Sequence, residues 1–180
     1  MTSTNNQNGQ IVEHIKSTLK RERITANDVT IEITENTAMH NIESGKNTLI
    51  ELKKLGIHIA IDDFGTGYSS VNMLQNGPFT ELKIDRAFIS SMRHSNQTWV
   101  IVESIIEMAT RLNLRIVAEG VEDNATIDSL IRMGCTIAQG YVFAKPMAKS
   151  ELLTRLNDRH KIHNISLKND KVSFLRGLFQ

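Results

Sequence analysis

The sequence predicts an α/β protein, a parallel sheet with helices packed outside it. Segments of helical period alternate with short β-branched segments, and the connections between them are brief. Polar residues gather at the C-terminal ends of the β-type segments, the face where barrels and open α/β sheets hold their sites. The third observation is metrical. The strand-end positions Glu32, Asp62, Lys83, Glu119 and Gln139 lie 30, 21, 36 and 20 residues apart. Those spacings average about 27, near the ~31 residues per unit of a ~250-residue barrel with eight units. A chain of 180 residues then falls about 70 short, so the expected architecture is a partial (β/α)8 barrel.

Each element has its own signal. Ile11, Ile15 and Leu19 recur every four residues and predict a helix over about 10–22. VTIEIT (29–34) is β-branched and short, a strand. Asn41 can cap a helix carrying Leu49, Ile50, Leu52 and Leu55, which Gly56 ends. HIAIDD (58–63) is the second strand and ELKID (81–85) the third, with a Gly-rich loop and a short helix through Met73 and Leu74 between them. A long helix over about 96–112 places Ile101, Val102, Ile105, Ala109 and Leu112 on one face. RIVAE (115–119) is the fourth strand. Asp123 caps the next helix, with Ile127, Leu130 and Ile131 inward and Gly134 at its end. TIAQGYVFA (136–144) reads as a fifth strand, continuous or broken, and Ser150 starts a helix through Leu156.

Composition narrows the function classes. With 40% hydrophobic and 23% charged residues, 2 prolines and 10 glycines, the chain is neither disordered nor low-complexity. Lys+Arg 21 against Asp+Glu 20 leaves +1, which excludes a strong basic field for a nucleic-acid polymer. A single cysteine, Cys135, can form no internal disulfide and predicts a reducing compartment. No apolar run is long enough to span a bilayer, and MTSTNNQNGQ has no basic-then-apolar leader pattern. The expected location is the cytoplasm.

Carboxylates converging on one barrel mouth are ligands for hard divalent cations such as Mg²⁺ or Mn²⁺. Asp62-Asp63 is the sharpest feature. Adjacent strand residues face opposite ways, so both can meet one site only where the strand is ending. An Asp pair placed there can bridge two metals ~3.5–4 Å apart, the arrangement for in-line attack on phosphodiesters. It can also simply cap the following loop, just as Glu32 can form an ordinary strand-end salt bridge. Lys83, within an apolar strand, must meet carboxylates, phosphate or water, or lose its charge. Gly65-Thr66-Gly67 is a weak anion-loop signal and reads first as a flexible turn. His14, His40, His58, His94, His160 and His163 have no ligand spacing, and Cys135 reads as a buried inert thiol.

EITEN (32–36), DDFGTGYSS (62–70), LKIDRAFI (82–89), VAEGVE (117–122) and QGYVFAKPM (139–147) together resemble the successive signatures of the EAL-domain family, bacterial phosphodiesterases that linearise cyclic di-GMP to pGpG. The resemblance implies a TIM-like (β/α)8 barrel of the EAL type, with one antiparallel strand and two metals at its mouth. Glu32 and Asp62 match ligands of the first metal, and Asp62, Asp63 and Glu119 the surroundings of the second. Lys83 matches the lysine on the attacking water, and Gln139 the glutamine near the metal-water and phosphate end. Glu35 matches the glutamate that holds the loop after Asp63, through which many members dimerise, and Asp85 and Glu122 match accessory acidic positions.

One departure stands out. The sequence contains no Glu-Ala-Leu triplet, and the strand bearing the family's metal-binding asparagine is not found. The expectation is therefore a barrel missing its first strands: a truncated EAL domain over 1–158 followed by a basic, then apolar extension over 159–180. Its function is expected to be that of a cyclic di-GMP phosphodiesterase, weak or inactive in this chain alone. The alternative is a non-catalytic module that binds cyclic di-GMP or a protein partner. A homo-oligomer is expected; membrane contact is not.

Overall fold

The computed structural model describes residues 3–65 and 71–157. Helix α1 (Ser3–Glu22) leads through a short 3-10 turn into strand β1 (Thr30–Thr34), and α2 (Glu35–Lys54) returns the chain to β2 (His58–Phe64). Helix α3 (Val71–Asn76) precedes β3 (Glu81–Ile84), which is followed by α4 (Arg86–Ser91) and α5 (Asn96–Arg111). Strand β4 (Arg115–Ala118), α6 (Asn124–Arg132), β5 (Ile137–Ala138) and α7 (Lys149–Asn157) complete the order.

The five strands lie side by side in chain order, β1-β2-β3-β4-β5, and every pairing is parallel. Sequential parallel neighbours joined by helices are the topology of a barrel wall, and this is a partial one. The antiparallel strand that the resemblance implies is not among the described residues. All C-terminal strand ends meet on one side, which is what delivers the polar residues to a common mouth. Beneath it Ile59, Ile61, Leu82, Ile84, Ala118 and Val102 are buried and form the centre of the core.

Several boundaries differ from expectation, each for a local reason. Helix α2 starts at Glu35, not Asn41, because Thr34 leaves β1 extended and its hydroxyl accepts the Thr37 N–H at 3.4 Å. In α1 Val12 is buried, while Ile11 is 49% exposed. Successive helical residues point ~100° apart, so a stripe holding Ile15 and Leu19 reaches Val12 and passes Ile11 by. The same geometry turns Ile131 outward to 41% exposure beside buried Leu130, and leaves Ile101 at the margin beside buried Val102. Helix α4 was not foreseen; Asp85 caps it, its carboxylate accepting the Ala87 N–H at 2.8 Å. The fifth strand is only Ile137–Ala138, since the chain turns at Gly140, where the Phe143 N–H donates to the Gly140 carbonyl at 3.1 Å. The proposed extension over 159–180 lies outside the described residues. No described helix is long and apolar enough to cross a membrane.

Candidate metal centre

The end of β2 resolves how two adjacent aspartates can face one site. Opposite β3, Ile61 pairs with Leu82 and Phe64 with Ile84, so β2 takes three steps where β3 takes two. The extra residue is a bulge, and Asp63 sits in the left-handed region at φ +56. Aspartate tolerates that conformation better than most side chains, at a cost of order 1–3 kcal/mol. The bulge breaks the alternation. One carboxylate oxygen each from Asp62, Asp63 and Glu119 come to lie within 4.8 Å of one another.

Lys83 is the cation at their centre. It is 6% exposed in a strand whose four residues are all buried. Its Nζ lies 2.6 Å from Glu119 Oε1, 2.9 Å from Glu32 Oε1 and 3.1 Å from Asp62 Oδ1. Burial alone would pull the ammonium's pKa down, but hydrogen bonds to Glu119 and Glu32 and the pull of Glu119 carry it above the ordinary lysine value. Lys83 therefore stays charged. Burial raises the pKa of Glu119, against the opposing attraction of Lys83. Glu119 Oε1 also accepts a hydrogen bond from Gln139 Nε2 at 2.7 Å. Asp63 is raised too, by desolvation first and then by the neighbouring charges of Asp62 and Asp85.

The remaining predicted residues surround this group. Glu35, buried at the start of α2, accepts the Gly65 N–H at 3.0 Å and ties down the chain just after Asp63. That N–H is thus committed to a carboxylate rather than offered to an anion. Asp85 divides its carboxyl between the α4 cap and Asp63. Glu122 points outward and pairs with Arg86 Nη2 at 2.5 Å. Thr66 and Gly67 lie outside the described residues. His58 meets Arg115 Nη1 at 3.2 Å through Nε2, near the opposite strand ends, and Cys135 is buried, as expected of structural residues. Arg86 was missed. An arginine one place past a helix cap looks like an ordinary solvated residue, and nothing in its neighbours announces a partner 36 positions away.

The acidic cluster and its buried lysine thus lie at the C-terminal strand ends of a five-stranded parallel sheet. The EAL domain profile matches residues 1–146. The chain belongs to the EAL domain family. Among relatives of this EAL domain, the bifunctional diguanylate cyclase/cyclic di-GMP phosphodiesterase MucR of Pseudomonas aeruginosa is 41% identical over 143 residues, covering 79% of this chain and 21% of MucR. The cyclic di-GMP phosphodiesterase RocR of the same organism is 36% identical over 143 residues, 79% of this chain and 36% of RocR. The solved MucR phosphodiesterase in complex with c-di-GMP superposes with a TM-score of 0.74 at 40% identity, covering 78% of this chain and 57% of that one. This EAL domain thus spans only a fraction of the length of the proteins it matches.

Proposed function

We propose that this EAL domain binds cyclic di-GMP at the β-strand mouth and takes part in its hydrolysis to pGpG. The observation that carries the reading is the convergence of Asp62, Asp63 and Glu119 around Lys83. Asp62, Asp63 and Glu119, with Glu32, offer only carboxylate oxygen, the donor type that suits Mg²⁺ or Mn²⁺. Such ions, when bound, acidify water and neutralise charge on a phosphodiester.

The protein's own residues do the rest. Asp62 and Asp63, turned to one side by the bulge, set the position of the ligand oxygens. Gln139 fixes one oxygen of Glu119, leaving the other free to turn toward the aspartates or to accept a proton. Lys83, held by Glu119, Glu32 and Asp62, places a hydrogen-bond donor and a positive charge where the attacking water would sit. Glu35 and Asp85 keep the chain on either side of Asp63 in place.

The 180 residues hold no Glu-Ala-Leu triplet, and a second reading is that of a non-catalytic module. On that reading the chain binds the dinucleotide, or a protein partner, without turnover. Calorimetric titration of cyclic di-GMP with Ca²⁺, paired with a pGpG assay in Mg²⁺ and Mn²⁺, separates the two. We expect binding with slow turnover, and loss of metal-dependent turnover in Asp62→Asn, which removes a charge at the cluster. Robust turnover that survives Asp62→Asn would overturn the proposed site. Binding with no turnover at all selects the module.

A further inference from the structure

Arg86 begins α4 immediately after Asp85, and its side chain runs to the turn that follows β4. Its Nη2 pairs with Glu122 Oε1, and its stem lies against Gly120. A Cβ at Gly120 would sit 2.1 Å from Arg86 Cγ and 2.7 Å from both Cβ and Cδ. Gly120 is also at φ +68, a conformation that favours glycine. Only a residue without a side chain can lie under that arginine stem and make the turn.

Glu119 is the residue this turn carries. Its N–H donates to the Ile84 carbonyl at 3.1 Å, and the Val121 N–H donates to the Gln139 carbonyl at 3.0 Å. Those two bonds hold the turn to its neighbouring strands. Lys83 grips the Glu119 carboxylate from the mouth at 2.6 Å. Arg86, three positions on from Lys83, grips Glu122 and covers Gly120. The two cations at the end of β3 therefore brace one turn through its two acidic residues. With 61% and 51% of the side chains exposed, the Arg86–Glu122 pair stabilises the fold little, so its effect is geometric.

We propose that Arg86 is a positioning residue that aims the Glu119 carboxylate at Asp62 and Asp63 by clamping the turn 119–122. The inference rests on the reading of Glu119 as a metal ligand. Mn²⁺ binding by electron paramagnetic resonance on the full 180-residue chain tests both, with urea midpoints recorded alongside. Loss of a residue that orients a ligand costs 10–100-fold in metal affinity. Arg86→Ala should weaken Mn²⁺ binding by about 10-fold, and Arg86→Met, which keeps much of the stem, by less. Arg86→Glu and Glu122→Arg should each weaken it, and the double exchange should restore it. A purely structural pair would shift the urea midpoint and leave the Mn²⁺ affinity of the folded protein unchanged. Should Arg86→Ala fail to fold, Arg86→Met and the charge exchange decide. If wild type binds Mn²⁺, Glu119→Gln weakens it and the Arg86 variants do not, the positioning role is overturned alone. If wild type does not bind Mn²⁺, or Glu119→Gln changes nothing, the metal reading falls and this inference with it.

Discussion

Two buried groups, Lys83 and Cys135, hold their protons for different reasons. Lys83 is tolerated in the core because carboxylates surround it; removing the lysine would leave Glu32, Asp62 and Glu119 facing one another without their cation. Cys135 meets no cation. It is 3% exposed, and burial pushes its thiol from 9.0 up to about 11. Both folded-state values lie above the ordinary ones, and the sign is the same for each. The folded chain holds its protons longer than the unfolded chain, so stability is lost as pH rises. For Lys83 the loss lies above its ordinary 10.5; for Cys135 it spans 9.0 to about 11. The Cys135 part amounts to roughly 2 kcal/mol by the top of that window. Cys135→Ala should abolish it. Urea melts of wild type and Cys135→Ala at pH 8 and pH 10.5 measure the difference; a difference independent of pH would sink the argument.

Among the elements, β5 is the shortest, and its brevity shapes the mouth. After Ala138 the chain bonds Gln139 N–H to Ala118 O at 2.9 Å, then turns at Gly140 so that Gln139 stays beside Glu119. A Cβ at Gly140 would stand 2.1 Å from the Val121 carbonyl oxygen and 2.3 Å from its nitrogen. Neither backbone atom can yield. Gly140→Ala should therefore destabilise by about 1–3 kcal/mol and weaken Mn²⁺ binding by disturbing Gln139 and the 119–122 turn together. Chemical denaturation and metal titration check both parts, and unchanged values would mean that the turn relaxes freely. The turn also shows where sequence is a partial guide. YVF at 141–143 has strand composition, yet backbone contact with Val121 overrides it, and a tertiary contact leaves no mark on local periodicity. Periodicity did locate β1 to β4 and the long α5, because alternation and helical stripes are imposed by burial itself. The same holds within the site. Glu32, Asp62, Lys83 and Glu119 were legible as polar residues ending apolar strands, whereas the left-handed Asp63 and the reach of Arg86 depend on neighbours far away in the chain.

At the scale of the whole molecule, burial is uneven across the sheet. All four residues of β3 are buried, while β1 has none and both residues of β5 are only partly covered. Among the described residues β1 and β5 each pair on one side only. An outer strand exposes a row of backbone N–H and C=O groups, and each one buried without a partner costs ~1–3 kcal/mol. Ile31 and Ile33 on β1 add apolar surface next to that row. Pairing with another chain would satisfy such a row, and self-association of the 180-residue polypeptide is the outcome this predicts. We expect a dimer or larger assembly in sedimentation velocity at micromolar concentration. A compact monomer that melts cooperatively across the same concentrations would show that the outer faces of β1 and β5 are covered within one chain.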